Sequence, residues 1–185
     1  IIGQMMEKVV LPPFRPRRTE EEIRKQMPWA TQGKLAGHKR NVITSLELDP
    51  AIMEENNIRF QAKYRKIEEA EVRYEEIGCE NADYLMVAFG SMARICLKTQ
   101  EMALAEGIKV GVLRPITLWP FPSKIIAEYA NKVKGMISVE LNAGQMVEDI
   151  RLAVNGKVKV EHFGRLGGIV PTPDEVLNAL KQKLM

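Results

Sequence analysis

Tyr84-Leu85-Met86-Val87-Ala88-Phe89-Gly90-Ser91 is a near-continuous apolar run that stops at a glycine and a serine, and a helical pattern follows it to about Glu106 before Gly107. An apolar run without polar alternation suits a strand buried on both faces, as in a parallel sheet. The unit then repeats. Residues 108–113 read as a second strand, 123–134 as a helix closed by Gly135, and 136–139 as a third strand. Asn142, with Gln145 three residues on, reads as the capping box of another helix that ends at Asn155-Gly156, before a fourth strand at 157–162. The last helix starts at Thr172-Pro173-Asp174-Glu175, where Thr172 caps, Pro173 takes the first helical position and Glu175 reaches back. Strand and helix alternating with short connectors predict a three-layer α/β/α sandwich around a mostly parallel sheet, assigned to residues 81–185.

Working towards the amino terminus, Pro12, Pro13, Pro16, Pro28, Gly33, Gly37 and Pro50 exclude a long helix or a central strand over residues 11–50, which read as an extended connector. Residues 51–77 read as one amphipathic helix, its stripe being Met53, Phe60, Tyr64, Ile67 and Tyr74. The pairs Glu55 with Arg59 and Glu69 with Arg73 suit its exposed face. The chain begins Ile1-Ile2-Gly3-Gln4-Met5-Met6, like the middle of a helix, so a fragment of a longer protein is expected.

Composition narrows the function. Of the 185 residues, 45% are hydrophobic and 28% charged, as in an ordinary globular protein. No apolar run approaches a membrane span, and the start lacks the marks of a signal peptide, so a cytoplasmic location is expected. Two cysteines, Cys79 and Cys96, fall short of the four thiolates of an iron-sulfur cluster and read as buried thiols. Two histidines, His38 and His162, show no metal-binding spacing. Net charge is +3, with residues 1–40 at +5 and the remainder at −2. Arg15, Arg17 and Arg18 run straight into Glu20-Glu21-Glu22 with few aromatics nearby, so nucleic acid is not the expected partner.

In an open parallel sheet, contacts gather at the carboxyl ends of the strands. The turn Gly90-Ser91-Met92 carries one glycine where a dinucleotide fingerprint needs three, and no Walker loop is present. Ser91 reads as a helix cap rather than a nucleophile. Arg114, Glu140, Asn142, Gln145 and Arg165 fall at or after strand ends and form a candidate polar cluster, in which Arg114 or Arg165 would pair with Glu140. That cluster would tie strand ends together, contact another subunit, or hold a ligand. Gly167 and Gly168, with Gly164, make a donor-rich loop beside Arg165, suited to an anion or to close backbone passage. Leu118-Trp119-Pro120-Phe121-Pro122 is apolar and rigid, so Trp119 and Phe121 either fold inward or sit in an interface.

Three ordered segments resemble one family: residues 110–122 (VGVLRPITLWPFP), 139–149 (VELNAGQMVED) and 163–168 (FGRLGG) look like the alpha subunit of the 2-oxoacid:ferredoxin oxidoreductases. Gly3-Gln4-Met5-Met6-Glu7 resembles the end of that subunit's pyrimidine-binding domain, placed at residues 1–10, and residues 81–185 its transketolase C-terminal-like domain. Pro28-Trp29-Ala30-Thr31, residues 41–46 (NVITSL), Asn57, Lys63-Tyr64 and Ile67-Glu68 look more like the branched-chain (2-oxoisovalerate) enzymes than the 2-oxoglutarate ones. The resemblance implies conversion of a 2-oxoacid and CoA to acyl-CoA and CO2 with reduction of ferredoxin. It implies thiamine diphosphate, magnesium and iron-sulfur clusters in the complete enzyme, and thiamine-binding beta, gamma and ferredoxin-like subunits as partners. The diphosphate-binding GDG...N motif and the cluster cysteines are absent here, so this chain alone is expected to bind none of these cofactors, to carry no catalytic residue and to serve assembly. The alternative is a stand-alone nucleotide- or CoA-binding α/β module.

Overall fold

A computed structural model of the protein describes residues 13–14, 18–30, 33, 37 and 39–185. The readings placed on residues 1–10, on Pro12, Arg15, Pro16 and Arg17, on Thr31 and on His38 lie outside the described residues. The chain divides into two compact units, the first ending at Phe60 and the second running over Gln61–Met185.

In the first unit, helix α1 (Glu20–Gln26) interrupts the extended connector. The Thr19 hydroxyl accepts from the Glu22 N–H, and the Glu22 carboxylate accepts from the Thr19 N–H at 2.7 Å. The prolines that exclude a long helix over residues 11–50 leave Thr19 to Gln26 free of proline, room for this one short capped helix within the expected connector. Nothing on α1 is buried, so local capping carries it. Helix α2 (Pro50–Ala70) begins where Asp49 caps it, its Oδ1 accepting from the Ala51 N–H at 2.8 Å.

The expected helix over residues 51–77 stops seven residues early, at Ala70. Residues Tyr74–Ile77 instead form strand β1, antiparallel to β3 (Val110–Pro115), with Tyr74 opposite Pro115 and Ile77 opposite Val112. The sheet therefore begins ahead of residue 81. Tyr and Ile favour strand, and pairing with a long neighbour overrides the helix preference of Glu75 and Glu76. The expected charge pairs are also replaced: beyond the break Arg73 pairs with Glu71 at 2.8 Å, and within the helix Arg59 donates to Asn56 Oδ1 at 2.9 Å. No residue of α2 is buried, so its apolar stripe stands half-exposed.

The remaining elements are β2 (Tyr84–Val87), α3 (Gly90–Ala105), α4 (Ser123–Tyr129), β4 (Gly135–Glu140), α5 (Met146–Val154), β5 (Lys159–Gly164) and α6 (Pro173–Leu184). The sheet order is β1-β3-β2-β4-β5, with β3, β2, β4 and β5 mutually parallel. The three-layer α/β/α sandwich is thus present, with one antiparallel edge. Helix α3 packs on α6, and α4 on α5. Alternate residues of the central strands feed the two faces: Leu85, Val87, Leu113 and Met136 join Ile126, Tyr129, Met146 and Ile150 in one apolar cluster. Full burial of each such side chain contributes about 1.5–3 kcal/mol.

Several local devices differ from the sequence reading. Helix α3 starts at Gly90 after Phe89 with no side-chain cap, so Ser91 lies in the first turn and caps nothing. Helix α4 stops at Tyr129 rather than Lys134. Thr172 and Glu175 form the expected capping box on α6. Both cysteines are buried, and burial pushes the Cys79 thiol up to about 11. The β1–β2 turn is drawn onto β3: Gln100 Nε2 donates to Ile77 O at 2.8 Å and Val110 O at 2.9 Å. Gly111 permits that approach, since a Cβ there would stand 2.7 Å from the Cys79 Cα.

Candidate functional site at the carboxyl ends of the strands

Glu140, the last residue of β4, is 1% exposed and is the one buried charged side chain among the described residues. Such a carboxylate requires a full set of donors. It finds them locally. Its Oε1 accepts from the Ser138 hydroxyl at 2.7 Å and the Val147 N–H at 3.0 Å, and its Oε2 from the N–H groups of Met146 at 2.9 Å and Gln145 at 3.2 Å. Three of these donors are the otherwise unsatisfied amides at the start of α5, so Glu140 caps that helix from the preceding strand. Burial raises its carboxyl pKa, and the Ser138 hydroxyl, the Met146 and Gln145 amides and Asn142 outweigh it, holding the group below its ordinary value.

The sequence reading gave this helix to Asn142 and Gln145 and paired Glu140 with an arginine. The structure does neither. Gln145 is the cap residue by position but makes no side-chain cap bond. Asn142 Oδ1 accepts from the Gly144 N–H at 2.7 Å, closing a local turn of the β4–α5 loop. Arg114 pairs with Glu75 on β1 at 2.8 Å, and Arg165 with Glu175 on α6 at 2.8 Å. Only the main chain of Arg165 reaches Glu140, its N–H donating to the Glu140 carbonyl at 3.3 Å. Glu140, Asn142 and Gln145 are therefore together, whereas Arg114 lies on β3, two strands away, with its guanidinium paired to β1.

Two neighbours were missed. Ser138 was legible in principle, since residues two apart on a strand share a face. His162 needed the parallel register, which places it opposite Ser138. Its Nε2 is buried, has no hydrogen-bond partner among the described residues, and stands 3.9 Å from Glu140 Oε1. The ring lies beneath the β4–α5 loop, and Gly164 closes the layer: a Cβ there would sit 2.2 Å from the Asn142 carbonyl oxygen and 2.7 Å from His162 Cε1. Gly167 and Gly168 both adopt positive φ, 64° and 85°, in the loop beyond β5.

The 118–122 segment splits. Phe121 turns inward against the core, whereas Trp119 stays out, edge-on to Tyr64 with ring centroids 5.6 Å apart. Thr117 anchors the loop, its Oγ1 accepting from the Arg73 N–H at 2.9 Å.

Chemically, the start of α5 does not resemble a nucleotide or diphosphate site. Doubly wound proteins place a ligand anion at a helix N-terminus near the strand ends. At α5 that place is taken by the protein's own Glu140 carboxylate. Glu140 has no lone pair conspicuously free for magnesium, and no group of three or more His, Cys, Asp or Glu side chains that could hold a metal occurs among the described residues. The Glu140 site thus does not fit magnesium-bound thiamine diphosphate. No helix among the described residues is long and apolar enough to cross a membrane.

Comparison with known proteins places this geometry. Residues 82–176, half of the chain, match the pyruvate:ferredoxin oxidoreductase core domain II. The ketoisovalerate oxidoreductase subunit VorB of Methanothermobacter thermautotrophicus is 43% identical over 182 residues, covering 98% of this chain and 50% of that protein. The 2-oxoglutarate synthase subunit KorA of Archaeoglobus fulgidus is 29% identical over 169 residues, covering 90% of this chain and 47% of that protein. Among solved structures, the 2-oxoglutarate:ferredoxin oxidoreductase of Magnetococcus marinus, with 2-oxoglutarate, coenzyme A and succinyl-CoA bound, superposes with a TM-score of 0.64 at 26% identity, covering 75% of this chain and 24% of that one. A split-gene transketolase, an inactive beta4 tetramer, shares the fold at a TM-score of 0.51 and 20% identity, over 60% of this chain and 42% of its own. The chain spans about half the length of the curated relatives it matches. With the ordered sheet, the β4–α5 turn and the family match over the same residues, the chain belongs to the 2-oxoacid:ferredoxin oxidoreductases, its residues 82–176 matching core domain II.

Proposed function

We propose that this chain is the C-terminal portion of the alpha subunit of a thiamine diphosphate-dependent 2-oxoisovalerate:ferredoxin oxidoreductase. The complete enzyme would convert the 2-oxoacid and CoA to acyl-CoA and CO2 and pass the electrons to ferredoxin. The observation that carries the substrate assignment is the 43% identity to a ketoisovalerate oxidoreductase subunit across 98% of the chain, against 29% across 90% for a 2-oxoglutarate synthase subunit. The connector residues quoted above favour the same side.

Within that enzyme the segment serves assembly. Residues 1–10 would close a pyrimidine-binding domain, and the connector that follows would end where β1 joins the sheet. Thiamine diphosphate supplies the acyl-carbanion chemistry when bound, with magnesium, by the beta subunit, and iron-sulfur clusters belong to the ferredoxin-like subunit. The part played here is mechanical: Glu140 fixes the β4–α5 turn, the Arg114–Glu75 and Arg165–Glu175 pairs fix the flanking loops, and Trp119, Gly167 and Gly168 are left to meet other protein. The test is co-expression of an alpha chain of the relatives' full length, containing these residues, with the beta, gamma and ferredoxin-like subunits. Co-elution on size exclusion is expected; an alpha chain that elutes alone refutes the assembly role.

A further inference from the structure

We infer that the carboxyl edge of the sheet is a docking surface, and that its occupant is the half of the subunit that this chain does not span. The loops after β3, β4 and β5 all leave the sheet at this end. They carry Ile116, Leu118, Trp119, Leu141, Leu166 and Ile169, each between 41% and 58% exposed, above a core whose strand residues are at or near zero. The rim reaches from β3 to β5, three strand spacings or about 14 Å. One exposed leucine carries no information, but six large apolar side chains gathered on one edge mark an interaction surface.

The chemistry selects protein over a small ligand. Glu140 fills the α5 N-terminus, and the guanidinium groups of Arg114 and Arg165 are engaged with Glu75 and Glu175, so this edge presents apolar bodies with few uncommitted charges. Length selects the occupant. The curated relatives hold the matched region within polypeptides about twice its length, and the Magnetococcus structure holds it as 24% of its chain. A domain tethered in the same polypeptide meets the rim at an effective concentration in the mM range, which a free partner or a second copy does not reach. This inference rests on the assignment to a 2-oxoacid:ferredoxin oxidoreductase subunit.

The test places p-benzoylphenylalanine at Trp119 or at Leu166 in a polypeptide of the relatives' full length that contains these residues, assembled with its partner subunits. Leu152, 81% exposed on α5 and about 9 Å along the helix from its start, is the off-rim control. Irradiation should give intramolecular adducts to peptides outside these 185 residues, in several-fold higher yield from Trp119 and Leu166 than from Leu152. Adducts to a second copy, to another subunit, or only within these residues overturn the inference. Turnover of 2-oxoacid, measured on the same preparations, separates the two proposals: an active complex without the expected adducts refutes the docking alone, and adducts in a complex inactive on every 2-oxoacid refute the function alone.

Discussion

Glu140 carries more of the local order than any other polar side chain at the strand ends, because one carboxylate satisfies a serine and three helix amides at once. Glu140→Ala would leave those amides buried without an acceptor, a loss of about 3 kcal/mol, measurable by urea unfolding. Glu140→Gln should cost less, because its amide oxygen still accepts. Since the folded-state pKa lies below the ordinary value, the contribution of Glu140 is fully present above the unfolded-state pKa and is lost as pH falls through the folded one. The protection of the Gln145, Met146 and Val147 amides, measured relative to their intrinsic exchange rates, should therefore fall in acid in the wild type, and that fall should be missing in Glu140→Gln. At Gly164 the obstacle is steric: Gly164→Ala drives a Cβ onto the Asn142 carbonyl and should destabilise by about 1–3 kcal/mol. That Glu140 needed a partner was legible from its place at the end of an apolar strand. Which partner was not, because main-chain amides five to seven residues ahead carry no mark in a list of charged residues. The arginines it was matched with have their own carboxylates, one of them on a strand that the sequence disguises.

Among the elements, the parallel strands and α6 were plain in the sequence, and β1 was not. Runs such as Tyr84–Val87 are apolar on both faces and admit one interpretation, whereas Tyr74–Ile77 lies on the sheet edge with mostly exposed side chains and two glutamates. Its strand state comes from pairing with β3, a contact made nearly forty residues later along the chain. No glycine or proline marks the end of α2, so the helical pattern runs on past Ala70. The two capping boxes separate local from global effects. Thr172→Ala should lower global stability by about 1 kcal/mol, because α6 buries Val176, Leu177, Ala179 and Leu180. Thr19→Ala removes the corresponding hydroxyl acceptor from α1, which buries nothing, and should leave the global urea midpoint unchanged. Equal effects from the two substitutions would show that burial does not transmit the cap.

At the scale of the molecule, the sheet is complete, yet its carboxyl edge and the stripe of α2 expose large apolar side chains. A sheet that uses its one buried carboxylate to close its own helix, beneath a rim of leucine, isoleucine and tryptophan, is built to be covered. The fold class was legible because it depends on periodicity; the rim was not, because exposure at a strand end depends on what else the chain packs there. The substrate depends on residues across the complete enzyme, and identity to the ketoisovalerate subunit is what points to a branched-chain acid. The most direct measurement is CoA-dependent reduction of ferredoxin by the reconstituted complex, with 2-oxoisovalerate and 2-oxoglutarate compared at equal concentration. The account predicts a kcat/KM for 2-oxoisovalerate higher by on the order of tenfold or more; a preference for 2-oxoglutarate, or no reduction with either acid, would contradict it.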